Sequence, residues 1–229
     1  MILSCEKISK KYGKKTVVDQ LTFQVEPGEV FALLGANGAG KTTTIKMVLG
    51  LTEATEGHAY LAENVNAGYS PESPYFPSFL TGREVLEYYA GMMGIRKKDH
   101  KDIACRLLDD VGLENDRTKV KHYSKGMMQR LSLAQALIGN PNLLILDEPT
   151  SGLDALGRVE MLNLIGKLKN KGVAVVLNSH ILTDIERVCS RGIILKKGRQ
   201  VALWDHQTLA QDKTLEQYFL ESIQEEERL

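Results

Sequence analysis

The stretch Gly35-Ala36-Asn37-Gly38-Ala39-Gly40-Lys41-Thr42 fits the pattern G-x-x-x-x-G-K-[ST]. It follows the apolar run VFALLG and leads into TTTIKMVLGL, so a strand is expected before it and a helix after it. Glycines at this spacing let backbone N–H groups curl around phosphate oxygens, while the new helix points its positive end at them. Gly35, Asn37, Gly38, Ala39, Gly40, Lys41, Thr42 and Thr43 are therefore the candidate phosphate-binding residues. Lys41 would bring a point charge to the β and γ phosphates of a nucleotide, and the Thr42 hydroxyl is suited to Mg²⁺. A glycine-rich turn without a ligand is the competing reading, and the strand-helix setting weighs against it.

Leu143-Leu-Ile-Leu-Asp147-Glu148 is a second signal. An apolar strand ending in two carboxylates delivers them to the carboxyl edge of a sheet, where open α/β folds bind ligands. Asp147 is placed to hold Mg²⁺ and Glu148, one residue on, to polarise a water for attack on the γ phosphate. The alternative is an acidic pair that merely ends a strand before Pro149. Two weaker signals are Tyr123-Ser-Lys-Gly-Met-Met-Gln-Arg130, which opens a helix, and His180, which follows the strand VAVVLN. Taken alone, the first is a helix N-cap and the second a loop histidine.

The elements that must position these groups alternate. ILSCEKI and VVDQLTFQV read as short strands around a lysine-rich turn, KKYGKK, and VFALLG is apolar enough for the middle of a parallel sheet. Helical periodicity dominates from about Pro71 to Leu137, after which strand and helix alternate again. The alternation predicts an α/β fold, a sheet interrupted by a helical insertion. One domain is expected to span 1–229, with the core and β subdomain at about 1–70 and 138–229 and the helical subdomain at about 71–137. Glu225, Glu226, Glu227 and Arg228, with Glu221, read as a solvated helix end.

Lysine plus arginine total 29 and aspartate plus glutamate 29, a balance that argues against a DNA-coating protein or a polybasic membrane anchor. Three dispersed cysteines form no disulfide framework or zinc motif, which favours a reducing compartment. With no apolar run of spanning length and none at the start, the chain is expected to stay in the cytosol.

In order, GANGAGKT, YSKGMMQR, LLILDEP, SGLD and the histidine of NSHI resemble the nucleotide-binding subunit of ATP-binding-cassette transporters, over nearly the whole chain. The resemblance implies, as the expected fold class, α/β with a P-loop NTPase core, a mainly parallel sheet, a small antiparallel β subdomain and a helical subdomain insertion. It implies an ATPase using ATP and Mg²⁺. It also implies two copies paired head to tail, most simply as a homodimer, and an integral-membrane permease as partner, on the cytoplasmic face of the membrane. Nucleic acid is not expected. By the same resemblance Ser124 and Gly126 belong to the signature that meets the γ phosphate held by the opposite subunit. Asp154 is the acid of the D-loop at the dimer contact, His180 the switch histidine, and Tyr12 the aromatic that stacks on adenine. A solvent-exposed hairpin tyrosine is the alternative for Tyr12.

Three departures stand out. The family's L-S-G-G-Q is Tyr123-Ser-Lys-Gly-Met127 here, and the position resembling the Q-loop glutamine carries Glu72, a candidate near Mg²⁺ or water. Ionised glutamate only accepts hydrogen bonds, whereas glutamine also donates. Between Gly57 and Gly68 the chain is several residues shorter than is usual in the family, so the antiparallel region is expected to lack a hairpin. Aromatics gather in Pro74-Tyr-Phe-Pro-Ser-Phe-Leu80 and at Tyr88-Tyr89, and suit either a groove for a permease helix or packing of the insertion. The tail Thr214-Leu-Glu-Gln-Tyr-Phe-Leu220 resembles the terminal helix of the exporter-type branch. A soluble mechanochemical ATPase acting on nucleic acid or ribosomes is the second functional class, disfavoured by a single uninterrupted cassette of this length.

Overall fold

A computed structural model describes residues 1–209 and 213–228; the side chains of Glu225, Glu226, Glu227 and Arg228 lie outside the described set. The chain runs β1 (Leu3–Tyr12), β2 (Lys15–Val25), β3 (Val30–Gly35), α1 (Lys41–Val48), β4 (Glu56–Leu61) and β5 (Ala67–Ser70). It continues through α2 (Gly82–Met92), α3 (His100–Val111), α4 (Lys125–Ala136), β6 (Leu143–Asp147), α5 (Ala155–Asn170) and β7 (Ala174–Asn178). The last elements are α6 (Leu182–Val188), β8 (Arg191–Lys196), β9 (Arg199–Asp205) and α7 (Leu215–Arg228).

Six strands form the central sheet in the order β5-β6-β7-β3-β8-β9, parallel except for β9 at the edge. The strands β3, β6 and β7 are buried at every position, as a parallel sheet covered on both faces requires. Side chains alternate between two cores. Val30, Ala32, Leu34, Leu144, Leu146, Val175 and Leu177 face the helices α2 to α6. Phe31, Leu33, Leu143, Ile145, Ala174 and Val176 face α1 and a smaller antiparallel sheet of order β2-β1-β4.

One expectation needs correction, and one element went unread. The segment KKYGKK is mostly strand: Tyr12 pairs with Lys15 and only Gly13 and Lys14 turn. Its lysines disguised the strand because all of them sit on the exposed hairpin end, where Lys11 is paired with Glu56 at 2.7 Å. The hairpin of β8 and β9 also lay unread, since RQVALWD follows a glycine turn without clean alternation. The stretch between Gly57 and Gly68 completes β4 and passes directly into β5.

The helices of the insertion start where their caps dictate. Thr81 and Glu84 form a reciprocal capping box at the head of α2. The Thr81 backbone N–H and the Lys119 ammonium, 3.0 Å away, hold the Glu84 carboxyl down to about 2. A depressed carboxylate stabilises the fold above its ordinary range near 4.5, and that contribution is lost as pH falls through about 2. Glu84→Gln should therefore melt below wild type at pH 6, and the two melting temperatures should converge between pH 4.5 and 2. Parallel curves over that range, followed by circular dichroism, would contradict the assignment.

Helix α4 lies against β5 at backbone distance: a Cβ added at Gly68 would stand 2.1 Å from the Ala136 carbonyl oxygen. Arg130 joins three helices, donating to the Val111 carbonyl at 2.6 Å and pairing with Glu160 of α5. Among the aromatics of the insertion, Phe76 is buried and meets Tyr89 edge-on at 6.0 Å, while Tyr75, Phe79 and Tyr88 are exposed. No helix among the described residues is long and apolar enough to cross a membrane.

Candidate active site

The carboxyl ends of β3, β6 and β7 open into a cleft of about 210 Å³. Each wall follows from a local rule. The loop after β3 turns at Gly40, whose φ of 102° is costly for other residues and whose added Cβ would lie 2.7 Å from the Val17 carbonyl oxygen. Helix α1 begins at the next residue, so Lys41, Thr42 and Thr43 sit in its first turn with unpaired backbone donors. Asn37, Gly38, Gly40, Lys41, Thr42 and Thr43 all line the cleft, whereas Gly35 and Ala39 are buried behind the loop.

Lys41 is nearly buried, and its ammonium donates to the Gly35 and Ala36 carbonyls at 2.6 and 3.2 Å. Burial pulls it below the usual lysine range, while the Glu148, Asp147 and Glu72 carboxylates pull it back. Opposite, Asp147 and Asn178 end adjacent strands in register, and the Asn178 amide donates to one Asp147 oxygen. Tyr69 Oη stands 3.5 Å from the other oxygen. Burial raises the Asp147 carboxyl, the Asn178 hydrogen bond opposes that rise, and Glu72 and Glu148 add to it.

Glu148 has a φ of 51°, the left-handed region, and its backbone N–H donates to the Asn178 carbonyl at 2.8 Å. This bend turns the acid out of the strand direction and into the cleft, where Oε2 lies 2.8 Å from His180 Nδ1. An ionised carboxylate only accepts, so Nδ1 carries the proton of that bond. His180 is half exposed and Glu148 is 6% exposed, which leaves the pair with one face toward solvent. Glu72, in the bend after β5, completes the lining.

Of the residues singled out in the sequence, the cleft unites Asn37, Gly38, Gly40, Lys41, Thr42, Thr43, Glu72, Asp147, Glu148 and His180. Tyr12 is not among the lining residues; it is 53% exposed on the hairpin whose Val17 does line the cleft, with the Lys10 ammonium 5.2 Å from its ring centre. Ser124 caps α4 by accepting from the Met127 N–H at 3.2 Å, and Asp154 caps α5 by accepting from the Gly157 N–H at 2.8 Å. Those two ends adjoin: a Cβ on Gly126 would stand 3.6 Å from the Leu153 side chain. Sequence reasoning missed Asn178 and Tyr69. The available signal for Asn178 was an otherwise apolar strand closing on an amide. A larger hollow of about 580 Å³ between α3, α4 and α5 contains none of the motif residues.

Residues 18–151 match the family model described as ABC transporter. An uncharacterized ABC transporter ATP-binding protein of Synechocystis is 43% identical over 189 residues, covering 78% of this chain and 53% of that protein. The chain thus spans about half the length of that relative. A Nod factor export ATP-binding protein of Burkholderia thailandensis is 37% identical over 219 residues, 91% of this chain and 72% of that one. Among solved structures, an ATP binding subunit of an ABC transporter superposes with a TM-score of 0.86 at 31% identity, covering 97% of this chain and 100% of that chain.

Proposed function

The chain belongs to the ABC transporter family, and from that premise we propose that it hydrolyses ATP in the cleft described above to drive a membrane permease, in the direction of export. The observation that carries this reading is the meeting of Lys41, Asp147 and the Glu148–His180 pair, drawn from three separate motifs, around one opening. Lys41 and the N–H groups of the first turn of α1 receive the β and γ phosphates. Glu148 takes the proton of the attacking water, and His180 holds the carboxylate and the γ phosphate in line. Tyr12 stacks on adenine.

Thr42 and Asp147 would hold Mg²⁺, with Glu72 beside them; hydroxyl and carboxylate oxygens are the hard donors that ion prefers, and Asn178 leaves one Asp147 oxygen uncommitted to a short bond. Once bound, the ion would neutralise charge on the phosphate oxygens.

Two copies meet head to tail, each offering Ser124 and Gly126 to the nucleotide of the other and Asp154 to the contact between them. ATP joins the two halves and hydrolysis releases them, which moves the permease. The exposed Tyr75, Phe79 and Tyr88 are the surface on which the permease rests at the cytoplasmic face of the membrane. The naming of a Burkholderia relative for export supports the outward direction. The core and β subdomain occupy about 1–70 and 138–229, and the helical subdomain about 71–137.

Purified chain should release phosphate from ATP with Mg²⁺, and Lys41→Ala should weaken nucleotide binding by about tenfold or more, as loss of a charged phosphate contact does. Isothermal titration with a non-hydrolysable ATP analogue measures it. Undiminished binding by Lys41→Ala would remove the cleft from consideration.

A further inference from the structure

Helix α4 is fastened to the rim of the cleft at two polar points. Gln129, 2% exposed, donates from Nε2 to the Glu72 carbonyl at 2.9 Å. One turn on, the buried hydroxyls of Ser132 and Ser70 share a hydrogen bond of 2.7 Å. Residues three apart lie on one helix face, so both bonds come from the same side of α4. At the far end of the helix the Gly68 and Ala136 backbones are in close contact, so α4 meets β5 without an intervening side chain there.

Gln129 is the more telling of the two. Its side chain reaches past the strand to the residue whose carboxylate lines the cleft, and its Oε1 is buried with no hydrogen-bond partner among the described residues. A buried amide satisfied on one side only is an expensive way to fill space, and an apolar residue would pack there without that cost. The bond to Glu72 is what the amide supplies. Glu72 itself has no other hydrogen bond or ion pair among the described residues, so the Gln129 contact fixes the height at which its carboxylate enters the cleft.

We propose that Gln129 is a positioning residue that acts through Glu72: it holds the Glu72 carboxylate beside Asp147 and Lys41, and it makes the ligand state of the cleft felt at the Ser124-Lys125-Gly126 start of α4. The proposal rests on the reading of the cleft as an ATPase site. Lys41 and Asp147 both sense the Glu72 charge, so a change in its position alters the field at the phosphates. Ser124 lies five residues before Gln129, and Gly126 three, on the same rigid helix. A shift of the Glu72 segment therefore carries the head of α4 with it.

The test uses Gln129→Met, which keeps length and removes the donor, and Glu72→Ala, singly and together in the full chain. Gln129→Met should lower kcat for ATP about tenfold with KM within about twofold of wild type, the split expected when a bound substrate is merely misplaced. In the Glu72→Ala background the same substitution should have no further effect on kcat. Hydrogen exchange gives a readout independent of turnover: ATP with Mg²⁺ should change protection of the 125–131 amides in wild type and not in Gln129→Met. Losses that multiply in the double variant, an unchanged kcat, or equal protection changes would each overturn the proposal. Thermal melting reports whether Gln129→Met folds; if it does not, Gln129→Glu, which keeps the shape and turns an acceptor on the Glu72 carbonyl, should reproduce the kcat loss, and wild-type kcat there overturns the proposal as well. A wild-type chain that neither binds nor hydrolyses ATP would overturn the underlying reading first, an outcome separate from additivity.

Discussion

Glu148→Gln should bind ATP within about twofold of wild type and hydrolyse it roughly 10²–10⁴-fold more slowly, the range expected for loss of a general base. The geometry explains why the two effects separate. The amide oxygen of glutamine can still accept from His180 Nδ1, which lies 2.8 Å from the carboxylate oxygen in the native pair, so the cleft keeps its shape. What glutamine cannot do is take a proton from water. The groups proposed to bind phosphate, the Lys41 ammonium and the first turn of α1, are untouched. Phosphate release measured beside equilibrium nucleotide binding checks both halves. The slow variant should also accumulate as an ATP-bound dimer in gel filtration, since the bridge between copies is no longer cut. Turnover at the wild-type rate would show that Glu148 is not the base, and a variant that stays monomeric with ATP would refute the bridging role of the nucleotide.

Ser124→Arg should hydrolyse ATP at least about 100-fold more slowly while each chain still binds nucleotide in its own cleft. Ser124 is exposed at the head of α4 and does not line the cleft of its own chain, so the expected damage falls on the neighbour's site. Mixing provides the decisive arm. Combined with Lys41→Ala, the Ser124→Arg chain supplies an intact glycine loop and its partner an intact Ser124, so mixed pairs contain one sound site. With random pairing, turnover should recover to roughly a quarter of wild type. No recovery on mixing, with both variants folded, would mean that the site is not shared.

The sheet was legible because its chemistry is repetitive. VFALLG and LLILD are uninterrupted apolar runs, and they are the fully buried β3 and β6. The glycine loop was legible because it is contiguous: eight neighbouring residues carry the whole pattern. Glu148 and His180 were readable as candidates but their 2.8 Å contact was not, since 32 positions separate them and only the parallel pairing of β6 with β7 brings them together. Asn178 and Gln129 stayed hidden for a related reason. Each acts through a single amide hydrogen bond to a residue far along the chain, and neither belongs to a run whose periodicity announces it. Lysine-rich strand ends failed in the opposite direction, because charge on an exposed hairpin looks like a turn when read locally.

The backbone at Glu148 sits in a conformation that a side chain of its size occupies at a cost of about 1–2 kcal/mol. Asparagine or glycine would relieve it, and neither carries the carboxylate on which the proposed hydrolysis depends. Under that proposal heat resistance and throughput make opposite demands on one codon, and selection for a hardier chain alone would be expected to erode the proposed activity there before its melting point had gained much anywhere else.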